Sequence, residues 1–291
     1  MPAFANYCKQ PLARVAPDRS DPKCPRSGLS AERSEKVLRT PRTRAGPPVN
    51  PVIFAVAAAR LGRMETTTGR FRAAVREWAA DGSAASAASA AAEVARDVAA
   101  GTELRTAVLV EGVSDHVALD ALAARHGRSL DAEGIAVIPL GGATNIGRFV
   151  HLLGPRGLGV TLAGLCDAGE EGHFSRALER EGLGHDLARA DMEPLGFYVC
   201  VADLEEELIR SLGAESVQRV VDAQGDLRAF RIFQKQPAQR ERDVERQLRR
   251  FMGTISGRKS QYARSLVDAL DLAEVPRPLD RLLAHVSPSA R

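Results

Sequence analysis

The nine residues AVLVEGVSD, positions 107–115, decide how this chain of 291 residues folds. Ala107–Val110 is short and wholly apolar, the pattern of a strand buried on both faces. It stops at Glu111-Gly112, and Ser114 stands where it can cap a helix predicted over Asp115–His126. Working outward, the pattern recurs. Ile135–Leu140 reads as a second buried strand, followed by Gly141-Gly142 and a helix over Asn145–Leu153. Val160–Cys166 reads as a third, ending on Asp167 before a helix near His173–Glu181, and Phe197–Val201 as a fourth. Strand and helix alternate at the spacing of βαβ units, which predicts an α/β fold: an open parallel sheet with helices on both faces. Beyond Asp203 the pattern is helical, over Leu204–Leu212, Ala214–Ala223, Val244–Phe251, Arg258–Leu270 and Pro278–Val286.

Upstream, the character changes. Residues 1–63 carry 12 Lys/Arg against 4 Asp/Glu, while residues 64–291 carry 28 against 33. The net charge of +3 therefore hides a basic tail on an acidic body. Nine of the sixteen prolines lie in residues 1–51. Such a segment cannot bury enough apolar surface to offset chain entropy, so residues 1–63 are expected to be disordered, with Met64 an alternative start. Phe71, Val75 and Trp78 stand at helical spacing, and an Ala/Ser-rich stretch over 83–100 has high helix propensity, so residues 64–103 read as N-terminal helices. The expected organisation is a tail (1–63), these helices, an α/β domain (104–202) and a helical C-terminal extension (203–291).

Composition excludes several classes. No apolar run is long enough to span a membrane. Aromatic residues make up 4% of the chain, which predicts an aliphatic core. The four cysteines (Cys8, Cys24, Cys166, Cys200) match no zinc spacing and read as reduced thiols in a cytoplasmic protein. Cys166 and Cys200 end buried strands and read as core thiols.

In an open parallel sheet, chemistry gathers at the carboxyl ends of the strands. Here those ends carry Glu111 with Asp115 one turn on, Gly141-Gly142, Asp167 with Glu170 and Glu171, and Asp203 with Glu205. Carboxylates that converge need a counter-charge. Oxygen-only ligands point to Mg²⁺ or Mn²⁺, ions able to activate water at a phosphodiester. Against this stands the plain alternative that Asp115 and Asp203 only cap helices.

The segment Leu109–Asp115 resembles the first motif of a TOPRIM domain, hydrophobic-Glu-Gly-x-x-Asp. Ile138–Ile146 (IPLGGATNI) resembles the glycine turn of the TOPRIM domains of OLD-family nucleases, and Leu162–Asp167 resembles the third element. The likeness is clear over about residues 104–172 and extends more weakly through Asp203-Leu204-Glu205 to Ser256–Lys259. It implies a TOPRIM fold and metal-dependent cleavage of DNA, with RNA as the other substrate. By that resemblance Glu111 and Lys259 are the catalytic pair, and Glu111, Asp115, Asp167, Glu170 and Glu205 are metal ligands. Gly112, Gly141, Gly142, Asn145 and Arg258 would then line the phosphate. Gly169 stands where the family has the second acid of an Asp-x-Asp pair, so a catalytically weak binding module is the rival reading.

A phosphate-binding P-loop is not found. Gly253–Ser260 has one residue too few between its glycines and follows a helical pattern. No ATP site is expected, and an ATPase partner in trans and an oligomer remain open. RERDVERQLRR (240–250) has mixed signs and reads first as a solvated helix. Lys235, Arg249, Arg250, Arg258 and Lys259 are candidates for a phosphate path beside the acids. Lys259 is expected to point at the acidic cluster and Arg258 away from it.

Overall fold

A computed structural model describes residues 68–69, 71–76, 78–79, 104–254 and 257–287. The tail, the Ala/Ser-rich stretch and Met64 lie outside the described residues. Four strands, β1 (Thr106–Val110), β2 (Ile135–Pro139), β3 (Thr161–Cys166) and β4 (Phe197–Val199), form one sheet in the order β2-β1-β3-β4, parallel throughout. Between and after them come α1 (Val113–Arg125), α2 (Ile146–Leu153), α3 (Glu171–Arg180), α4 (Arg189–Met192), α5 (Leu204–Ala223), α6 (Leu227–Gln234), α7 (Val244–Met252), α8 (Arg258–Ala269) and α9 (Arg277–His285).

The strands are apolar on both sides because each side meets a helical layer. On one side Val108, Val110, Val137, Ala163, Leu165 and Cys200 pack with residues of α1 and the C-terminal helices. On the other, Ala107, Leu109, Ile138, Leu162, Cys166 and Phe197 pack with residues of α2 and α3 and with Phe71 and Val75 of the N-terminal helical residues. This is the period-two alternation of a strand, with both faces dry.

The core is mostly aliphatic, as expected, with aromatic side chains among its largest members. Phe71, Phe149, Phe174, Phe197, Phe230 and Tyr262 are among its largest fully buried side chains. The few aromatics of the body are concentrated inside, where each removes the most surface from water. The sequence reading passed over α4 and α6. The second was legible as Leu227, Phe230 and Phe233 at helical spacing. The two helices expected over 204–223 are joined end to end and broken at Gly213, whose φ of 73° no helix interior accommodates. Gly253 and Gly257 link α7 to α8, a helix to a helix, rather than a strand to a helix as a P-loop requires.

Gly164, in the middle of β3, is fixed by close approach. A Cβ there would lie 2.7 Å from the Phe197 ring and 2.8 Å from the Leu109 carbonyl oxygen. Gly164→Ala should therefore lower stability by about 1–3 kcal/mol, the usual range for overpacking. Urea unfolding measures this, and an unchanged midpoint would show that β3 and β4 can separate freely.

Candidate functional site

The strand order sends the chain from β1 to one side and later back to β3 on the other. The switch point therefore lies between the carboxyl ends of β1 and β3, where a crevice opens in such sheets. Glu111 follows β1 directly and Asp167 follows β3. The register pairs Val110 with Leu165, so Glu111 and Asp167 leave neighbouring strands within a residue of each other.

Asp115 reaches the same place from α1. Gly112, not Ser114, is the N-cap residue, and its N–H donates to Asp115 Oδ2 at 2.8 Å. Asp203 caps α5, accepting from the Glu206 N–H at 2.9 Å. Both acids thus do have capping roles, yet they also crowd the crevice. Glu205, one residue into α5, is buried. Glu207, two residues on and 1% exposed, was not singled out from sequence. Its Oε1 accepts the Val201 N–H at 2.6 Å and its other oxygen pairs with Arg210. It locks the turn from β4 into α5 and so sets where Glu205 points. The run Glu205-Glu206-Glu207 in a first helical turn was the available signal.

The electrostatics follow from this crowding. Burial, reinforced by Glu111, Asp115, Asp203 and Glu205, pushes Asp167 up to about 8. Burial pushes Asp115 up to about 7 against the opposing Gly112 N–H. Glu111 is raised by burial first and then by Glu170. Lys259, at the start of α8, supplies the counter-charge: its Nζ lies 3.3 Å from Glu205 Oε1. Burial pulls that ammonium down, but Glu205, Asp203 and Asp167 hold it above its ordinary value. The contact is an ion pair without hydrogen-bond alignment, so Glu205 Oε1 and Glu111 Oε2 are both buried oxygens with no hydrogen-bond donor.

These atoms fit a hard divalent cation. The donors are all oxygens, one of them, Glu111 Oε2, lacks any partner among the described residues, and the group carries more negative charge than Lys259 and Arg249 balance. Among the described residues no three Asp, Glu, His or Cys side chains already converge on one point. The acids share a crevice, and closing them onto an ion takes side-chain rotation. Glu170 is half-buried, with its Oε2 3.6 Å from His173.

The remaining candidates divide. Gly141 and Gly142 have φ of 68° and 124°, which shape the turn after β2, and the Asn145 side-chain amide donates to the Leu140 carbonyl at 3.0 Å to close it. The Gly112 N–H is therefore already engaged, while the Asn145 amide, with one of its two N–H groups on Leu140, keeps a second donor. Arg258 does not face outward as expected. Its side chain is 11% exposed, lies 4.4 Å over the Phe251 ring and pairs with Asp226 at 3.4 Å. It belongs to the helical packing and not to the acidic crevice. Arg249, in the run read as solvated, donates to Asp203 Oδ2 at 2.7 Å. Cys166 and Cys200 are free and buried, with burial pushing both thiols up, so they are not nucleophiles.

The model for "Overcoming lysogenization defect protein-like, TOPRIM domain" matches residues 104–168, the stretch from before β1 to just past Asp167. Residues 104–168 are an OLD-like TOPRIM domain. Among solved structures, the C-terminal region of the Xanthomonas campestris pv. campestris OLD protein is similar at 28% identity and a TM-score of 0.49, over 62% of this chain and 91% of that one. The C-terminal region of the Burkholderia pseudomallei OLD protein is similar at 22% identity and a TM-score of 0.48, over 64% of this chain and 98% of that one. No curated protein matches the chain. The TOPRIM domain supplies Glu111, Asp115 and Asp167, while Glu205 and Lys259 come from the helical part beyond it.

The raised carboxyls fix a pH dependence for the metal-free protein. Folded, Asp115 and Asp167 hold protons to about 7 and 8, whereas in the unfolded chain they release them near the ordinary value of about 3.8. The stability this contributes is complete below about pH 4 and is lost as pH rises through 7 to 8. Thermal melts in EDTA should therefore show Asp167→Asn equal to or below wild type at pH 5 and above it at pH 8.5, with Mn²⁺ abolishing the advantage. Parallel curves for the two proteins would contradict the crowding.

Proposed function

We propose that the chain is a metal-dependent nuclease that hydrolyses phosphodiester bonds of nucleic acid, DNA first, at the crevice between β1 and β3. The observation that supports this most is the buried Glu111 Oε2, which has neither a hydrogen-bond nor an ionic partner among the described residues, set among acids whose protons are held near neutrality. Glu111, Asp115, Asp167 and Glu205 would hold Mg²⁺ or Mn²⁺, with Glu170 beside them. When bound, such an ion polarises the phosphate and lowers the pKa of an attacking water.

The chain's own groups divide the remaining work. Glu111, whose Oε2 accepts no hydrogen bond, would take the proton from the attacking water. Lys259, half-exposed and anchored by Glu205, stands where its ammonium offsets charge developing on the phosphate oxygens. Gly112 orients Asp115 through its N–H. Strand transfer through tyrosine does not fit. The Tyr198 hydroxyl faces His285 at 3.4 Å and the buried Tyr262 donates to Asp226 at 3.0 Å, both on the helical side of the sheet; Tyr7 lies outside the described residues. Hydrolysis is the reading that needs no tyrosine nucleophile.

The rival is a nucleic-acid-binding module that cleaves weakly. Gly169 favours it: the position is exposed and offers no ligand.

Glu111→Gln should abolish Mn²⁺-dependent nicking of supercoiled DNA, by at least about 100-fold for loss of the base alone, while the melting temperature in EDTA stays level or rises. Undiminished nicking would place the chemistry elsewhere. Gly169→Asp tests the rival. A Cβ there meets no atom within 4 Å, so the acid is accommodated. If Gly169 is a missing ligand, the variant should bind Mn²⁺ about tenfold more tightly by calorimetry, equivalent to about 1.4 kcal/mol. Equal affinity would mean that the wild-type ligands already suffice.

A further inference from the structure

Residues 227–250, which carry α6 and α7, contain eight Lys/Arg against three Asp/Glu, within a body that is acidic as a whole. All eight basic residues are exposed. The other faces of the two helices are buried, through Phe230 and Phe233 on α6 and Leu248, Phe251 and Met252 on α7. The Phe251 ring meets Phe230 at 5.2 Å and Phe233 at 5.6 Å, which holds the helix pair to the body with its charge turned out.

On the α7 side, Arg242, Arg246, Arg249, Arg250 and Lys259 line a groove of about 420 Å³. Its remaining lining residues are Asp203 and Glu205, so it opens on the crevice acids and every residue lining it is charged. Two of the five cations are tied to that acidic wall, Arg249 to Asp203 and Lys259 to Glu205. Arg242 donates only to the Ala238 carbonyl, and Arg246 makes an exposed pair with Asp243 at 3.3 Å. No acid of the described residues pairs with Arg250.

Arginines gathered this closely repel one another unless a polyanion meets them. A lining without apolar side chains does not fit a lipid surface or an amphipathic helix. A repeating phosphodiester backbone fits, since arginine forks match phosphate oxygens.

We propose that this groove is the track that holds the backbone of the nucleic acid, with Arg242, Arg246 and Arg250 on phosphates flanking the one presented to Glu111 and Asp167. The inference deepens the nuclease reading and rests on it for the direction of the strand. Its binding half is measured without any chemistry.

The experiment is fluorescence anisotropy of the full chain in EDTA with labelled 30-base-pair DNA, and with RNA of the same sequence, at several salt concentrations. Wild type is compared with Arg246→Ala/Arg250→Ala, with the same pair changed to Lys, and with Arg264→Ala, an exposed arginine on α8 paired with Asp268. The Ala pair should weaken binding about tenfold and flatten the plot of log K against log salt by about 1.8, two phosphate contacts' worth. The Lys pair should restore most of the affinity, and Arg264→Ala should change little. Equal affinity and slope for the Ala pair, equal loss in Arg264→Ala, or no binding by wild type would each overturn the track. The arm that binds more tightly identifies the nucleic acid. If binding follows the arginines while Mn²⁺ produces no cleavage by wild type, the track stands and the nuclease reading falls. If wild type cleaves and the Ala pair cleaves with unchanged KM, the reverse holds.

Discussion

Carboxylates brought out of water onto one edge of a parallel sheet dominate this molecule. The sheet places Glu111 and Asp167 side by side because β1 and β3 are neighbours in register. Burial first, and then the like charges beside them, disfavour ionisation, so Asp115 and Asp167 retain protons into the neutral range. Every other feature of the edge answers that repulsion. Lys259 neutralises Glu205, Arg249 neutralises Asp203, and the Gly112 N–H supports Asp115. What remains without either a hydrogen-bond or an ionic partner among the described residues is one buried oxygen of Glu111, Oε2.

The fold was legible because a buried parallel sheet writes itself as contiguous apolar runs, and four such runs stood between helical patterns. Their boundaries shifted by one or two residues, as strand ends without turn chemistry do. The acids at the strand ends were equally legible, since topology alone assigns them to one edge. What was not legible came from tertiary contact. Arg258 and Lys259 are adjacent in sequence, and which one faces the acids depends on Phe251 and Asp226 drawing Arg258 into the packing. Glu207 was not singled out from the sequence and is a buried clasp for the β4–α5 turn. Ser114 looked like a cap, but the chain turns two residues earlier, at Gly112. The arginines of residues 240–250 are interleaved with Glu241, Asp243 and Glu245 in sequence, and only the folded chain gathers Arg242, Arg246, Arg249 and Arg250 at one groove.

The site is composite. The TOPRIM domain ends its matched stretch at residue 168, and by then it has delivered three carboxylates and no cation. The helical extension adds Glu205, Lys259 and the arginines of α7. A cluster of three aromatic rings and one guanidinium, Phe230, Phe233 and Phe251 with Arg258, fixes the position of that extension. Its packing is therefore as consequential for the acidic edge as the sheet itself.

The break at Gly213 divides α5 into two stretches of helix with different attachments. The first, with Leu204 and Leu208 buried, continues from β4 and carries Glu205; the second, with Val217 and Val221 buried, leads towards α6. A continuous rigid rod would transmit any reorientation of the basic helices straight to Glu205. A glycine joint in the left-handed region lets the two halves be set separately. Under the proposed reading, the surface that would meet a polymer could be re-angled or re-charged across evolutionary time while the carboxylates keep their places, so that substrate choice and bond-breaking would vary independently.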